Sequence, residues 1–233
     1  VRVYRVDERA IGCSLAAAAE APAYAAWLHK AAETPRSLHV VYVNTSLRTK
    51  AHAHALVPTI TCTSGNVVKT ILAAAADVPD GHVWFGPDTY MGRNLAQLLA
   101  ALADAGDAAV QAIDPRHTAA SLRAFLPRFH HFAQGLCVVH HLFGGAVAAR
   151  VTQDYSDCFV TAHLEVPGPM FALGLAAQER GRGVVGSTSD ILRFVVARVE
   201  AAARGDAPAR LRFILGTEAG MVTALVRAIQ SSL

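Results

Sequence analysis

Short apolar runs that end in polar residues recur along the chain, and a helical pattern follows most of them. The runs begin at His39, Ile60, His82, Cys137, Cys158, Gly183 and Leu211. Each run has the length of a buried strand, and segments such as 67–72 fit the helical period. Consecutive polar ends lie roughly 20 to 30 residues apart, the spacing of strand–helix units with parallel crossovers. The pattern therefore predicts an α/β fold with parallel sheets, whose ligands bind beyond the carboxyl ends of the strands.

The order of these units predicts three segments. Residues 1–36 hold one strand-like run and one helix, and the stretch 34–37 has the composition of a linker. We expect one α/β domain over 37–128 and another over 129–233, because each segment has its own apolar runs and helical patterns.

Composition places the chain among well-buried globular proteins, since 53% of its 233 residues are hydrophobic and 17% are charged. The formal charge of +3 is spread without a run of Lys or Arg, which argues against a nucleic-acid partner. No apolar segment reaches the ~20 residues of a membrane span, so no membrane partner is expected. The four cysteines lack the spacing of a small disulfide framework, which favours reduced thiols or metal ligands.

The polar end with the clearest chemistry is His163-Leu164-Glu165, which follows an apolar run and precedes a Pro-Gly turn. Residues two apart on a strand project to the same side, so we expect the imidazole and the carboxylate to lie together. Such a pair can transfer a proton or bind an anion. A strand end that merely carries polar residues gives the same pattern.

Other polar ends also have two interpretations. Tyr42 and Asn44 would project together, and the 63–66 segment combines hydroxyls, a glycine and a helix start, which suits an anion. The 216–218 segment could bind an anion in the same way. Helix capping explains both segments equally well. Cys13 precedes a predicted helix, where it is either a reactive thiol or a small buried residue.

Four histidines and a cysteine fall within a dozen residues in the third segment: His130, His131, Cys137, His140 and His141. A zinc hydrolase is one hypothesis for this cluster. Its spacing fits no standard zinc pattern, and a strand through residues 137–140 would send its two ends to opposite faces.

Eight short motifs, taken in order, resemble those of quinolinate synthase. The sequence between them is similar to that of the plant and green-algal branch of this family. The motifs are Gly12-Cys13-Ser14-Leu15-Ala16, Val41-Tyr42-Val43-Asn44-Thr45-Ser46, Cys62-Thr63-Ser64-Gly65-Asn66, Gly86-Pro87-Asp88, Cys137-Val138-Val139-His140, Ala162-His163-Leu164-Glu165, Val185-Gly186-Ser187-Thr188-Ser189 and Gly216-Thr217-Glu218. Eight ordered motifs over nearly the whole chain are far more specific than any one of them.

The resemblance implies three α/β/α domains with parallel sheets about a pseudo-threefold axis, of which residues 1–36 would be an incomplete first domain. It also implies a [4Fe-4S] cluster held by three cysteines, with one iron open to substrate as a Lewis acid. The implied transferase reaction condenses iminoaspartate with dihydroxyacetone phosphate to quinolinate, phosphate and water, in NAD biosynthesis. Aspartate oxidase would supply the iminoaspartate, a homodimer is compatible, and the location would be the chloroplast, or otherwise the cytoplasm.

Carried over residue by residue, the resemblance assigns Cys13 and Cys137 to the cluster. It implies proton transfer by Tyr42 and Glu165. It implies that these two residues and four others contact substrate: Asn44, Ser64, His163 and Thr188. Neutral donors of this kind bind carboxylate or phosphate oxygens. Cys62 and Cys158 match no cluster position and are expected to be small core residues.

The third cluster cysteine of the family has no counterpart in this sequence. We therefore expect this span by itself neither to hold an intact cluster nor to make quinolinate. The alternative hypothesis is a cluster-free α/β domain that binds a phosphorylated or dicarboxylic metabolite at its strand ends. A brown colour with broad visible absorption after anaerobic purification distinguishes the two.

Overall fold

The computed structural model describes residues 12–206 and 210–232. Its helices are α1 (Ser14–Glu20), α2 (Pro22–Glu33), α3 (Leu47–Leu56), α4 (Val67–Asp77), α5 (Thr89–Asp104), α6 (Asp107–Gln111), α7 (Ala119–Phe125), α8 (Val138–His141), α9 (Gly145–Asp154), α10 (Gly168–Glu179), α11 (Thr188–Ala203) and α12 (Gly220–Ser232). Its strands are β1 (Ser37–Tyr42), β2 (Thr59–Cys62), β3 (His82–Gly86), β4 (Phe129–His131), β5 (Phe159–His163), β6 (Gly183–Gly186) and β7 (Phe213–Gly216). All recorded pairs between these strands are parallel, which confirms the predicted α/β class.

The chain divides into two compact units, Val1–Cys137 and Val138–Leu233. The strand expected within residues 1–6 lies outside the described residues. The division into three segments stays a prediction. In the structure, α1 and α2 belong to the first unit, and so does β4, because it pairs with β3.

The first unit has a four-stranded sheet in the order β2-β1-β3-β4, with helices on both faces. One face carries α2 and α3, whose apolar residues form a core cluster with Trp84 and Phe132. On the opposite face, Gly92 of α5 lies so close to His131 of β4 that a Cβ at the glycine would contact the ring at 2.8 Å. The unit therefore has three layers.

A buried histidine, His39, sits within the α2 face of this sheet. Its Nε2 is 2.8 Å from the Tyr24 hydroxyl, and its Nδ1 is 3.1 Å from the Thr59 hydroxyl. Burial lowers the pKa of His39 to about 3, so the ring is neutral and both nitrogens are used in hydrogen bonds. This histidine is a structural residue.

The second unit has a three-stranded sheet in the order β6-β5-β7. A Cβ on Gly174 of α10 would meet the Val185 and Ala162 side chains at 2.8 and 2.9 Å, so this helix lies directly against one face. On the other face, α11 and α12 form a core cluster that includes Val184 and Leu215. The unit again has three layers, with β5 at the centre of its sheet.

The strand predicted to begin at Cys137 is wrong. Residues Val138–His141 form the single-turn helix α8, and Val138 and Val139 are 66% and 42% exposed. A strand at this place would bury its valines against a sheet, whereas Val138 and Val139 are exposed. The preceding strand β4, by contrast, was not predicted as a separate strand because it is only three residues long.

Among the described residues, no helix combines the length and the apolar character needed to cross a bilayer.

The close approach of α10 to its sheet can be tested by Gly174→Ala. The added methyl would overlap Val185 and Ala162, so we expect the free energy of unfolding to fall by about 1–3 kcal/mol. Gly168→Ala on the same helix is the matched control, since a Cβ there meets nothing within 4 Å. Urea unfolding of both variants measures the difference, and equal stabilities would refute the tight packing.

Candidate active site

His163 and Glu165 lie together at the carboxyl end of β5, the central strand of the second unit. His163 is the last residue of the strand, and Glu165 lies in the turn before α10. Both residues are 4% exposed. The His163 Nδ1 is 3.7 Å from Glu165 Oε1, so the structure brings this predicted pair together.

A second imidazole, that of His140 in α8, completes this cluster. The His140 Nδ1 lies 3.2 Å from Glu165 Oε2. The His140 and His163 rings stack with centroids 4.9 Å apart and planes 16° apart. Glu165 therefore contacts one histidine directly and lies beside another, within a region that excludes most solvent.

The hydrogen bonds define the charge and tautomer of His163. The backbone N–H of Glu165 donates to His163 Nδ1 at 3.3 Å, which leaves the ring proton on Nε2. Burial lowers the pKa of His163 to about 4, against the opposing effect of the Glu165 carboxylate. Near neutral pH this imidazole is thus uncharged and can donate a hydrogen bond from Nε2.

The neighbouring strand β6 ends beside this cluster, because Gly186 is the register partner of His163. Ser187 then caps α11: its hydroxyl accepts from the Asp190 N–H at 3.3 Å, and the Asp190 carboxylate accepts in return from the Ser187 N–H. Because Ser187 makes the cap, Thr188 takes no part in it and lies exposed in the first turn of the helix.

On the other side, β7 ends at Gly216, the register partner of Ala162. Thr217 is the next residue, so it is level with His163 along the sheet. Its side chain is buried, with the residue 5% exposed, and its hydroxyl has no hydrogen-bond partner among the residues that the structure describes. A buried hydroxyl without a partner lowers the free energy of unfolding by about 1–3 kcal/mol.

In the first unit, the segments that carry Tyr42, Asn44 and Ser64 are neighbours at the carboxyl ends of β1 and β2. Tyr42 pairs with Cys62, and the Val43 N–H donates to the Cys62 carbonyl at 2.9 Å. Tyr42 is buried, Ser64 is partly exposed and Asn44 is exposed. The structure thus brings these three predicted residues to one end of the first sheet.

The turn that holds Asn44 is fixed by a lysine. The Lys50 ammonium donates to the Val43 carbonyl at 2.9 Å and to the Thr45 carbonyl at 2.6 Å. Ser46 caps the following helix, accepting from the Thr49 N–H at 3.1 Å. Ser46 is therefore the N-cap of α3 and fixes the chain shortly after Asn44.

The two predicted cluster cysteines lie on segments that are joined to each other. Cys13 directly precedes α1, and the hydroxyl of the next residue, Ser14, donates to the carbonyl of Leu136 at 2.7 Å. Leu136 is the residue before Cys137. Cys13 is exposed and Cys137 is partly exposed, and neither is part of a disulfide.

The segment before Cys137 is anchored to the carboxyl end of β3. The Thr89 N–H donates to the Gly135 carbonyl at 2.8 Å, and the Gly135 N–H donates to the Thr89 hydroxyl at 3.0 Å. A Cβ on Gly135 would overlap the Pro87 carbonyl, so this position requires glycine. The sheet therefore determines where the Cys137 segment runs.

The other two cysteines, Cys62 and Cys158, are buried, at 1% and 4% exposure. Burial raises the pKa of the Cys62 thiol to about 12, and burial also raises the pKa of Cys158. Both are small core residues, as expected. The zinc hypothesis gains nothing from the fold, since His130 and His131 are neighbours on β4 and project to opposite faces of the sheet.

Comparison with known proteins identifies the family of this chain. The family model described as quinolinate synthetase A protein matches residues 2–232. The chain belongs to the quinolinate synthetase A family.

Plant members of this family are similar to the chain over almost its whole length. The chloroplastic quinolinate synthase of Nicotiana tabacum is 54% identical over 229 residues, which cover 98% of this chain and 32% of that protein. The chloroplastic enzymes of Arabidopsis thaliana and Oryza sativa subsp. japonica are 52% and 50% identical, over 100% and 99% of this chain and 32% of each protein. The chain thus spans about a third of the length of these relatives.

Two residues of the candidate site, His140 and Thr217, were not predicted as site residues. His140 was counted only in a motif and in the zinc hypothesis, and no local pattern in the sequence relates it to Glu165. Thr217 was considered only as part of an anion-binding or capping segment, since burial without a partner cannot be recognised from sequence.

The unpartnered hydroxyl of Thr217 leads to a stability prediction. Thr217→Val keeps the shape and removes a buried polar atom, so we expect the free energy of unfolding to rise by about 1 kcal/mol. Thr161→Val is the matched control in the same sheet, because the Thr161 hydroxyl donates to the Ile214 carbonyl at 3.2 Å. That variant should lose about 1 kcal/mol. Urea unfolding of both measures the contrast, and destabilisation by both variants would argue against an unpartnered Thr217.

Proposed function

We propose that this chain provides cluster-binding and substrate-binding residues of a quinolinate synthase, which condenses iminoaspartate with dihydroxyacetone phosphate to quinolinate, phosphate and water. The observation that carries the proposal is the buried cluster of His140, His163 and Glu165 at a strand end, in a chain of the quinolinate synthetase A family. Both substrates bear anionic groups, and the reaction requires proton transfers, which these side chains can serve.

The donor set of the first unit fits an iron–sulfur cluster, which the family implies. Cys13 and Cys137 are at least partly exposed cysteines outside any disulfide, on segments that a hydrogen bond between Ser14 and Leu136 holds together. Cysteine thiolates are the usual ligands of such clusters, and we propose the [4Fe-4S] type. When bound, the cluster supplies a Lewis-acidic iron.

Glu165 is proposed to accept and return a proton. Its carboxylate lies 3.2 Å from His140 Nδ1, and it is buried, so a proton on it is not exchanged freely with solvent. Tyr42, buried at the end of β1 in the first unit, is the second proposed proton-transfer residue.

Four residues are proposed to hold substrate oxygens: Asn44, Ser64, His163 and Thr188. His163 suits this role because its ring is neutral and its proton is on Nε2, so it can donate to an anion without losing its proton. The exposed position of Thr188, outside the cap of α11, leaves its hydroxyl available as a donor. We add Thr217 as a donor, because a ligand oxygen would satisfy its buried hydroxyl.

The cellular setting follows from the relatives. Their names place them in the chloroplast, and we propose the same location for this protein. Aspartate oxidase as the source of iminoaspartate, and a homodimer, are further expectations from the family.

The role of Glu165 is tested by Glu165→Gln in the complete, iron-loaded enzyme. The amide is nearly isosteric and can still accept a hydrogen bond from His140, but it cannot carry the proton. We expect turnover to fall by about 10²–10⁴-fold while iron content and unfolding midpoint stay unchanged. The matched control is Glu179→Gln, at an exposed position of α10. A normal rate of quinolinate formation in Glu165→Gln would remove this residue from the mechanism.

The assignment of the cluster ligands is tested by iron content. In the complete enzyme, Cys13→Ser and Cys137→Ser should each lower the iron bound per chain after anaerobic reconstitution, together with the visible absorption of the cluster. Cys158→Ala is the control, because this thiol is buried in the core and should not bind iron. Full iron content in either serine variant would exclude that cysteine as a ligand.

A further inference from the structure

The second sheet carries a group of arginines at the end opposite to the candidate active site, and the proposed function does not use them. Arg182 and Arg212 immediately precede the first residues of β6 and β7, the two strands that flank β5. The Phe159 N–H donates to the Arg212 carbonyl at 2.8 Å, and the Val160 N–H donates to the Arg182 carbonyl at 3.0 Å. Strand pairing therefore brings both arginines to the amino end of β5.

These residues line a surface cavity of about 380 Å³. Sites for small ligands typically have volumes of about 300–1,000 Å³. Among the described residues that line the cavity, Arg182, Arg210 and Arg212 contribute guanidinium groups, whereas Asp157 contributes the one carboxylate. The cavity thus has the size of a small-molecule site and a net positive lining.

An aromatic ring holds the Arg182 guanidinium in place. Its Cζ lies 5.2 Å from the centroid of the Phe159 ring, and the Cζ of Arg198 lies 5.4 Å from the same centroid. One N–H of Arg182 donates to the Asp157 carbonyl. A guanidinium has five N–H donors, so these contacts orient the group and leave other donors for a ligand. A side chain oriented in advance loses little freedom on binding.

The carboxylate of Asp157 offsets only part of the positive charge. Its Oδ2 lies 2.7 Å from Arg212 Nη1, in an ion pair whose side chains are 59% and 43% exposed. Ion pairs with this exposure are weak, so Arg212 can turn toward a ligand. Arg210 is exposed and has no hydrogen bond or ion pair with the residues that the structure describes. Its whole charge is available to an anion.

We propose that this cavity binds a small phosphorylated metabolite through its phosphate group. The planar fork of a guanidinium matches two phosphate oxygens with two parallel hydrogen bonds. A phosphate group carries up to two negative charges and three terminal oxygens, so it can contact several arginines at once, whereas a carboxylate has one charge and two oxygens. The number of arginines therefore favours phosphate.

This site is separate from the candidate active site of the same unit. Phe159 is the first residue of β5 and His163 is the last, so the two ends of the strand are roughly 13 Å apart. A phosphorylated ligand at the arginine cavity would therefore bind without displacing a substrate at His163.

The test is calorimetric titration of the complete, iron-loaded enzyme with inorganic phosphate. We expect Arg182→Met and Arg210→Met each to weaken phosphate binding at this site by at least about tenfold, because each removes a charged hydrogen-bond donor. Arg227→Met is the matched control: it removes the same charge from an exposed position of α12 that does not line the cavity. This variant should bind phosphate as the wild type does.

Asp157→Asn should have the opposite effect. The amide can still accept a hydrogen bond from Arg212, but it carries no negative charge, so phosphate binding should become about threefold tighter. Unfolding midpoints, measured for every variant, show whether the fold is retained. A loss that accompanies unfolding in Arg182→Met leaves Arg210→Met as the deciding variant, because Arg210 is exposed.

Three results would each overturn the proposal: no phosphate binding by the wild type, undiminished binding in Arg210→Met, or weaker binding in Asp157→Asn. The KM for dihydroxyacetone phosphate should be the same in Arg210→Met and the wild type, and a raised KM would instead place this arginine in the substrate site. Quinolinate formation by the wild type is measured separately, so failure here is distinguishable from failure of the proposed function.

Discussion

The parallel pairing of β5 with β6 and β7 is the constraint on which the candidate site of the second unit depends. Its register brings the end of β6, at Gly186, and the end of β7, at Gly216, to the same edge of the sheet as His163. Helices on both faces bury the strands, so the polar residues at their ends are held by a rigid core. A shift of register by one residue would turn His163 to the opposite face of the sheet.

Burial at this end of the sheet determines the charge of the side chains in the site. His163 is kept neutral by desolvation, although a carboxylate lies 3.7 Å from its Nδ1. The Glu165 N–H fixes the tautomer of the ring, and His140 contacts the Glu165 carboxylate. One neutral donor and one buried carboxylate therefore lie side by side with different tasks, which is the arrangement that proton transfer next to a bound anion requires.

Much of the fold could be predicted from the sequence, because alternating apolar runs and helical patterns indicate a parallel α/β fold directly. The proximity of His163 and Glu165 was also predictable, although the strand ends at His163 and a turn rather than a strand brings Glu165 back. The helix α8 was not predictable from its two valines, which normally favour a strand. With that segment taken as a strand, His140 could not be assigned to Glu165. The hydrogen bond between the His82 and His130 rings depends on the register of β3 and β4, which no local pattern in the sequence contains.

The central claim is that burial and the Glu165 N–H hold His163 as a neutral ring with its proton on Nε2. Nitrogen NMR of the imidazole, recorded from about pH 7 down to about pH 4 in the cluster-free protein, measures both properties for this residue. The account predicts a neutral ring with protonated Nε2 at about pH 6, and protonation only as the pH approaches the lowered pKa of about 4. An imidazolium at about pH 6, or a proton on Nδ1, would contradict it.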